Sequence, residues 1–325
     1  MKICANIAAL AFVAGAASAQ DAPRLGLPVD CTLGDTCFIQ QYTDVDPGPA
    51  AQDFMCEGLS YDGHKGTDFA LPSLAAMEGG VAVIAAAPGT VRGIRDGMAD
   101  RVHEPQSGDD LAGRDCGNGV VIDHGDGWET QYCHMGKGSV LVSTGDQVER
   151  GTALGQIGLS GRTQFPHLHL SLRKDGEVVD PFRPEGGCGA QGASALWIDP
   201  LSYQPGGLLA AGLSVTVPEY DAVKAGTAAI TQVAPDAPSL VAWGYGYGAR
   251  PGDVVRLTII GPGGETLFQH EAQLEKAQAQ YFRAAGKRAR ARWQGGDYTA
   301  RAELLRGGKV IDTAERGTAD GPISQ

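Results

Sequence analysis

The chain has 325 residues, with 38 acidic and 26 basic side chains and a formal net charge of -12. The acids are concentrated in residues 20–202, which carry 26 acidic and 12 basic side chains, whereas residues 203–325 carry 12 and 13. This acidic balance argues against nucleic acid as a partner, because phosphate binding needs a positive surface. Roughly 300 residues also exceed what one hydrophobic core usually serves, so the length predicts two domains.

The first 19 residues have the pattern of a signal peptide. Lys2 precedes an apolar run over residues 7–14 and the small-residue stretch Ala-Ser-Ala at 17–19. This pattern predicts cleavage before Gln20 and export, either to the periplasm or as a secreted protein. No later segment approaches the roughly 18 apolar residues that cross a bilayer, so we expect no transmembrane anchor.

Removal of the signal peptide leaves an even number of cysteines. There are six of them: Cys31, Cys37, Cys56, Cys116, Cys133 and Cys188. In an oxidising compartment the simplest expectation is three disulfides. A zinc cluster of thiolates is the rival interpretation, but the sequence contains no C-x-x-C pair that would favour it.

The distribution of glycine, proline and β-branched residues is typical of an all-β protein. The 48 glycines and 18 prolines punctuate short apolar runs, for example residues 81–85, 120–123 and 254–260. Such punctuation predicts strands joined by turns. Residues 271–285 are rich in Ala and Gln, and the sequence leaves open whether they form a helix or paired strands.

A stretch marked by proline and glycine at residues 200–212 predicts a domain boundary. We therefore expect one domain over residues 20–202 and a second over 203–325. In the second, the alternation at residues 296–301 is typical of the end of an immunoglobulin-like sandwich. The second domain is predicted to be a smaller β-sandwich of that kind.

Residues 118–134 carry a hairpin signal. An apolar run is followed by Gly-Asp-Gly at 125–127 and then by a second strand-like run,. The hairpin would bring Cys116 and Cys133 together as a disulfide. Since side chains alternate faces along a strand, we expect Cys133 and His134 to point to opposite sides, with His134 facing a cleft.

The polar segment at residues 95–114 has no hydrophobic period and predicts a surface loop inserted between strands. Two interpretations of this loop stay open at the sequence level. It either roofs a substrate groove or is an insertion without a role.

Histidines at two positions of one predicted strand give the first sign of a metal site. The period of two places His167 and His169 on one face, with Leu168, Leu170 and Leu172 turned into the core. One imidazole could bind a metal while the other reaches the water on that metal. A solvated strand face that happens to carry two histidines is the alternative.

A second cluster of polar residues supplies further metal ligands. His64 and Asp68 are four residues apart, but Gly63, Gly66 and Pro72 make a helix improbable, so we expect a loop that enters a strand. Two imidazoles and one carboxylate form the ligand set typical of catalytic zinc, with the fourth position left to water. Zinc lowers the pKa of that water and polarises a carbonyl, as amide hydrolysis requires.

Three motifs in this order resemble one known family. They are His-x-x-x-Asp at 64–68, Tyr-x-His at 132–134 and His-x-His at 167–169. With glycine-rich strands between them, they resemble the lysostaphin/LytM-type peptidoglycan zinc metallopeptidases over about residues 60–181. The resemblance implies a lysostaphin-like antiparallel β-sheet peptidase domain ahead of the sandwich.

The resemblance also implies roles for five side chains. His64, Asp68 and His169 would bind Zn²⁺, and His134 and His167 would be the catalytic residues that face its bound water. The implied function is an exported endopeptidase that hydrolyses amide bonds in peptidoglycan peptides or cross-bridges. Two alternatives are a metal-bound, non-catalytic regulator of another cell-wall hydrolase and a secreted protease for glycine-rich proteins. The C-terminal domain would position the substrate or a protein partner.

The chain departs from the family pattern in two places. The family usually continues His-x-His with Phe-Glu, whereas this chain has Leu170 and Ser171, which leaves the support of the metal ligands in question. The loop at 95–114 is also longer than most. The remaining histidines, His103, His124 and His270, are predicted to be non-catalytic, and Asn118 and Tyr132 either line the groove or pack in the core.

Overall fold

The computed structural model describes residues 22–104, 111–189 and 195–320, and the predicted signal peptide lies outside these ranges. Within them almost all regular structure is β-strand, which confirms the all-β prediction. The two α-helices of this part of the chain are short, α1 at Leu74–Glu78 and α2 at Tyr220–Ala225. Neither is long and apolar enough to cross a membrane.

The first half of the chain is built on an eight-stranded antiparallel sheet. Its strands are β1 (Phe38–Gln41), β2 (Thr67–Ala70), β4 (Gly89–Arg95), β5 (Asn118–Gly125), β6 (Trp128–Met135), β7 (Gln147–Val148), β9 (His167–Lys174) and β10 (Glu177–Val179). Seven of them follow the order β1-β2-β9-β6-β5-β4-β7, and β10 pairs with β9. The short strands β3 (Ala82–Ile84) and β8 (Ala153–Gln156) form a separate pair. Four of the five predicted site residues lie on β2, β9 and β6 of this sheet, and His64 lies in the loop before β2.

Strand β9 shows why this sheet has one apolar and one polar face. Leu168, Leu170 and Leu172 are at most 1% exposed and belong to the main hydrophobic core. The histidines between them must then point to the other face, because successive side chains alternate. The period-two prediction for this strand agrees with the structure.

The predicted hairpin is formed by β5 and β6. Its two-residue turn, Asp126 and Gly127, has φ values of 48° and 76°. Positive φ at both positions is the requirement of the type I′ turn that joins twisted antiparallel strands. The disulfide between Cys116 and Cys133 is present beside this hairpin, and two further disulfides join Cys31 to Cys37 and Cys56 to Cys188.

Two smaller sheets in the second half pack as a sandwich. One has the order β11-β12-β15 and the other β14-β13-β16-β17. Three of these seven strands lie in one sheet and four in the other, as in an immunoglobulin-like sandwich. The fourth strand in chain order, β14, pairs with the third, β13. The strands are β11 (Gly207–Ser214), β12 (Ser239–Ala249), β13 (Val254–Ile260), β14 (Thr266–Gln273), β15 (Gln278–Arg288), β16 (Thr299–Arg306) and β17 (Lys309–Gly317). Residues 271–273 lie in β14 and residues 278–285 in β15, so the helix interpretation is wrong. The exact domain boundary at residue 202 stays a prediction.

The sandwich packs directly against the first sheet. Phe38 on β1 belongs to an apolar cluster with Trp243, Tyr245 and Tyr247 of β12. At the rim, Arg250 forms an ion pair of 2.7 Å with Glu57. These contacts bring the start of β15 next to the polar face of the large sheet.

Candidate metal centre and groove

Strand pairing brings two of the three predicted metal ligands together. In the antiparallel pair of β2 and β9, Asp68 lies directly opposite His169. His64 reaches the same point from the loop before β2, where its amide donates to the Tyr61 carbonyl at 2.9 Å and Gly63 has a φ of 74°. The expectation of a loop that enters a strand agrees with this geometry.

Three ligand atoms converge at this point. His64 Nε2 lies 3.1 Å from Asp68 Oδ1 and 3.1 Å from His169 Nδ1, and the last two atoms are 2.8 Å apart. Donor atoms about 2.1 Å from a tetrahedral zinc ion lie about 3.4 Å apart, close to this triangle. Among the described residues, these three side chains form the cluster that could hold a metal ion.

The ring nitrogens that point away from the ligand triangle indicate the protonation of those that point into it. His64 Nδ1 donates to the Tyr42 carbonyl at 2.7 Å, and His169 Nε2 lies 3.1 Å from the Ser171 hydroxyl. When both imidazoles are neutral and carry their proton on the outer nitrogen, the inner nitrogens and the Asp68 carboxylate present only lone pairs to one another. Mutually facing lone pairs at this distance are stable around a cation, so these residues fit a zinc ion.

Charge within the cluster favours an ionised carboxylate. Burial alone would raise the pKa of Asp68, but the surrounding histidines, His64 first, hold that pKa well below its ordinary value. An ionised Asp68 that is 3% exposed needs positive charge beside it, because a buried charge without a partner is strongly destabilising,.

Gly66 permits the close approach of the ligand loop to β9. A Cβ atom at this position would lie 2.4 Å from the Leu170 carbonyl oxygen and 2.8 Å from His169 Nε2. Real Cβ atoms do not approach so closely, so any side chain here would push the loop away from His169. The glycine is a steric requirement of the ligand geometry.

The two predicted catalytic histidines lie beside the ligand triangle. Their ring centroids are 4.7 Å apart, and His167 Nε2 is 3.5 Å from Asp68 Oδ1. His134 Nδ1 donates to the Ser160 carbonyl at 2.8 Å, and His167 Nδ1 donates to the Phe165 carbonyl at 3.0 Å. In the neutral tautomer that these bonds favour, each ring carries its lone pair on Nε2. Burial, followed by the neighbouring His167 and His169, holds the pKa of His134 well below its ordinary value.

The predicted opposition of Cys133 and His134 is wrong. Both residues line the same groove, with Cys133 in its disulfide to Cys116. The reason is the backbone of His134, whose φ of 63° is left-handed and interrupts the alternation of the strand,. Left-handed backbone at a residue other than glycine is uncommon and concentrates at functional sites.

The groove extends in two directions from His134. One side, which we call the cationic arm, is lined by Lys65, Asp115, Arg162 and Arg173. The other side, which we call the sandwich-side arm, is lined by Gln41, His103, Phe165 and Ala279. Tyr61, His134 and Arg162 line both arms and mark their junction. Ala279 is contributed by β15 of the sandwich.

The inserted loop reaches this groove. His103 is 9% exposed, its amide donates to the Thr163 carbonyl at 2.7 Å, and Arg162 Nη1 lies 3.4 Å from His103 Nε2. Residues 105–110 of the loop lie outside the described part of the chain. Nothing in the sequence near His103 signalled this position, because the loop has no period.

Several other polar residues have structural positions. Asn118 is fully buried and binds the backbone of Met98, while Tyr132 is fully buried and its hydroxyl accepts from the Ala86 amide, so both pack rather than line the groove. His124 bonds to the Pro88 carbonyl at 2.6 Å. Ser171, which stands where the family has Glu, was missed as a partner of His169, although its place on the His-x-His-x-Ser face could have indicated it.

A family of known proteins matches the segment of the chain that holds this site. Residues 62–181 match Peptidase family M23. Over 120 residues the chain is 35% identical to the peptidoglycan DD-endopeptidase ShyA of Vibrio cholerae, which covers 37% of this chain and 22% of that protein. Over 65 residues it is 38% identical to the DD-carboxypeptidase/endopeptidase Mpg of Neisseria meningitidis, which covers 20% of this chain and 14% of that protein.

Among solved structures, a zinc containing peptidase from Vibrio cholerae is 25% identical with a TM-score of 0.28, covering 44% of this chain and 39% of that chain. The chain thus spans about a fifth or less of the length of the two curated relatives. The predicted family is confirmed for this segment, because residues 62–181 match Peptidase family M23.

Proposed function

We propose that the chain is an exported zinc-dependent endopeptidase that hydrolyses amide bonds in peptidoglycan peptides or cross-bridges. The observation that carries the proposal is the convergence of three lone pairs, from His64, Asp68 and His169, next to two imidazoles that open onto a groove. Membership of a peptidase family and the names of the two relatives support the reaction and the substrate class.

In this proposal the residues divide the work of hydrolysis. Zinc bound by His64, Asp68 and His169 would supply a Lewis acid that activates water and polarises the scissile carbonyl. In its neutral tautomer each of His134 and His167 carries a lone pair on Nε2, so either can accept the proton of the attacking water. The protonated imidazole then returns this proton to the leaving amine and balances the charge of the tetrahedral intermediate.

Export is supported by the cysteines as well as by the N-terminal pattern. Three disulfides join the six cysteines that follow residue 20. Disulfides persist in oxidising compartments, such as the periplasm and the medium, and are rare in the cytosol. The peptidoglycan that the proposed enzyme cleaves lies in the same compartment.

The test uses the mature chain, zinc analysis and isolated sacculi. We expect one zinc ion per chain and release of soluble fragments, with both lost in His169→Ala. His134→Ala should keep the zinc and lower the rate by roughly 10²- to 10⁴-fold, because proton transfer contributes on that order. His270→Ala, on the exposed face of β14, is the matched control and should change neither. Intact sacculi beside a working control hydrolase, with zinc bound, would refute the proposed activity.

A further inference from the structure

The cationic arm has a charge opposite to that of the surrounding protein. Residues 20–202 contain 26 acidic and 12 basic side chains. Nevertheless three cations, Lys65, Arg162 and Arg173, line this arm, against one acid outside the metal ligands, Asp115. An acidic surface repels anions in general, so a local excess of cations marks a place where a particular anion is accepted.

Arg173 is aligned with the metal ligands by the strand that carries them. His169, Ser171 and Arg173 occupy alternate positions of β9 and therefore share one face,. The acid directly opposite on β6 is Glu129, and it forms an ion pair with Arg92 instead. Burial lowers the pKa of the Arg173 guanidinium, as expected for a partly buried cation without a carboxylate beside it,.

The other two cations leave a net positive charge in the arm. Arg162 is paired with Asp115 at 2.5 Å and bonds to His103, so its charge is compensated. Lys65 directly follows His64 and is exposed. Within the described ranges neither Lys65 nor Arg173 forms an ion pair with a carboxylate. Two uncompensated cations thus face the groove on one side of the metal ligands.

We propose that the cationic arm binds a carboxylate of the peptide substrate and selects peptides that carry this group free over peptides in which it is amidated. The inference rests on the proposed function for its substrate class. It adds that the part of the substrate with the free carboxylate lies on the cationic-arm side of the zinc ligands. The planar guanidinium of Arg173 matches a carboxylate with two parallel hydrogen bonds, and Lys65 adds a second positive charge.

The test measures binding, so that it does not depend on turnover. The probe is a cross-linked peptidoglycan fragment released by a muramidase, compared with the same fragment after its carboxyl groups are converted to carboxamides. Calorimetry uses the full mature chain carrying His134→Ala and loaded with zinc, so that the fragment is not consumed. We expect the free-acid fragment to bind about tenfold more tightly, a difference that shrinks at high salt because the arm is open to solvent.

Two variants and one control locate the effect. Arg173→Gln and Lys65→Gln should each reduce the tenfold preference toward unity while leaving the affinity for the amidated fragment unchanged. Lys65 is exposed, so this variant stays informative if Arg173→Gln does not fold. Lys309→Gln, which removes an exposed cation at the start of β17, should keep the full preference.

Several outcomes would overturn the inference. They are equal affinity for the two fragments, no binding of either fragment, or a preference that survives both substitutions, since the last would assign the carboxylate to the zinc itself. Failure of the proposed function looks different. In that case the zinc-loaded chain with His134 intact leaves sacculi uncut, while the calorimetric preference is still measured.

Discussion

Ser171 is a hydrogen-bond partner of the predicted metal ligand His169. It is 1% exposed, and its hydroxyl lies 3.1 Å from Nε2 of His169. Outer partners of this kind fix the tautomer and the ring orientation of a metal ligand. The departure from Phe-Glu thus leaves His169 with a hydrogen-bond partner, although the serine side chain is shorter than that of Glu and carries no charge.

We expect Ser171→Ala to weaken zinc binding by about tenfold, because His169 loses the group that holds its outer nitrogen. Competition with a chromogenic zinc chelator measures the change. Ser143→Ala, in the exposed loop before β7, removes the same hydroxyl group away from the site and should leave zinc affinity unchanged. Equal affinities for the two variants would show that Ser171 does not support the ligand.

Asp180 predicts a dependence of stability on pH. It is 6% exposed, and burial raises the pKa of its carboxyl to about 7. An unfolded Asp titrates near 3.9, so the folded state binds the proton more tightly. Its contribution to stability is therefore fully present below about pH 4 and is lost as the pH rises through about 7.

We expect Asp180→Asn to remove this loss, because an amide cannot ionise while its oxygen can still accept from the Phe182 amide. At about pH 8 the variant should be more stable than the wild type by up to roughly 4 kcal/mol. Urea unfolding of both proteins at about pH 5 and pH 8 measures how the free energy of unfolding of each one changes with pH. The same loss of stability in the two proteins would assign it to other groups.

At the level of single residues, the sequence was informative where chemistry follows a regular period. His167 and His169 were placed by the alternation of one strand, and their leucine neighbours confirmed it. His134 was expected on the correct face for the wrong reason, since no local signal announces left-handed backbone at a histidine. Arg173 was not singled out, because its meaning depends on Glu129 of another strand being already paired.

At the level of elements, the disulfides differ mainly in the length of chain that they close. Cys56 and Cys188 are separated by 132 residues, whereas Cys31 and Cys37 are separated by 6. The long bridge joins the segment after β1 to the segment after β10, at opposite ends of the peptidase sequence. A longer closed loop restricts the unfolded chain more strongly.

Loop closure predicts that replacing Cys56 and Cys188 by serine lowers the free energy of unfolding by about 5 kcal/mol. The same replacement at Cys31 and Cys37 should lower it by about 2 kcal/mol. Denaturant unfolding of the two double variants gives the comparison, and zinc content checks that the site persists in each. A larger loss for the short bridge would contradict the entropic account.

Strands joined by a short turn were predictable from the sequence, whereas strands that pair with distant parts of the chain were not. The Asp126-Gly127 turn has the residues that a two-residue hairpin requires, so β5 and β6 were identified. Residues 271–285 gave no such signal. They divide between β14 and β15, which belong to different sheets and find their partners elsewhere in the sandwich. Tertiary pairing, which the local Ala and Gln content does not encode, decides their structure.

At the scale of the whole molecule, the packing of the first half continues beyond the predicted boundary at residue 202. The Tyr203 ring lies 5.2 Å from that of Tyr42, and its hydroxyl donates to the buried Asp53 at 2.7 Å. The Gln204 side chain accepts from the Ile39 amide at 2.9 Å. Both residues support the peptidase core although they follow that boundary.

We expect a chain of residues 20–205 to be more stable than one of residues 20–202, by about 3 kcal/mol, because the shorter chain loses a packed aromatic ring and a hydrogen bond to Asp53. Both should be less stable than the full mature chain, since Phe38 is uncovered when β12 is removed. Thermal unfolding ranks the three proteins. Equal stability of the two truncated chains would support a boundary at residue 202.

Ala279 shows that the sandwich contributes to the shape of the groove. It belongs to the sandwich, yet it lines the same arm as His134 and His167 of the large sheet. A longer side chain at this position would narrow the arm from the sandwich side and would leave every histidine in place. In the proposed enzyme the width of this arm is therefore set partly by the sandwich, and a mutation there can change the width without changing the residues proposed for catalysis.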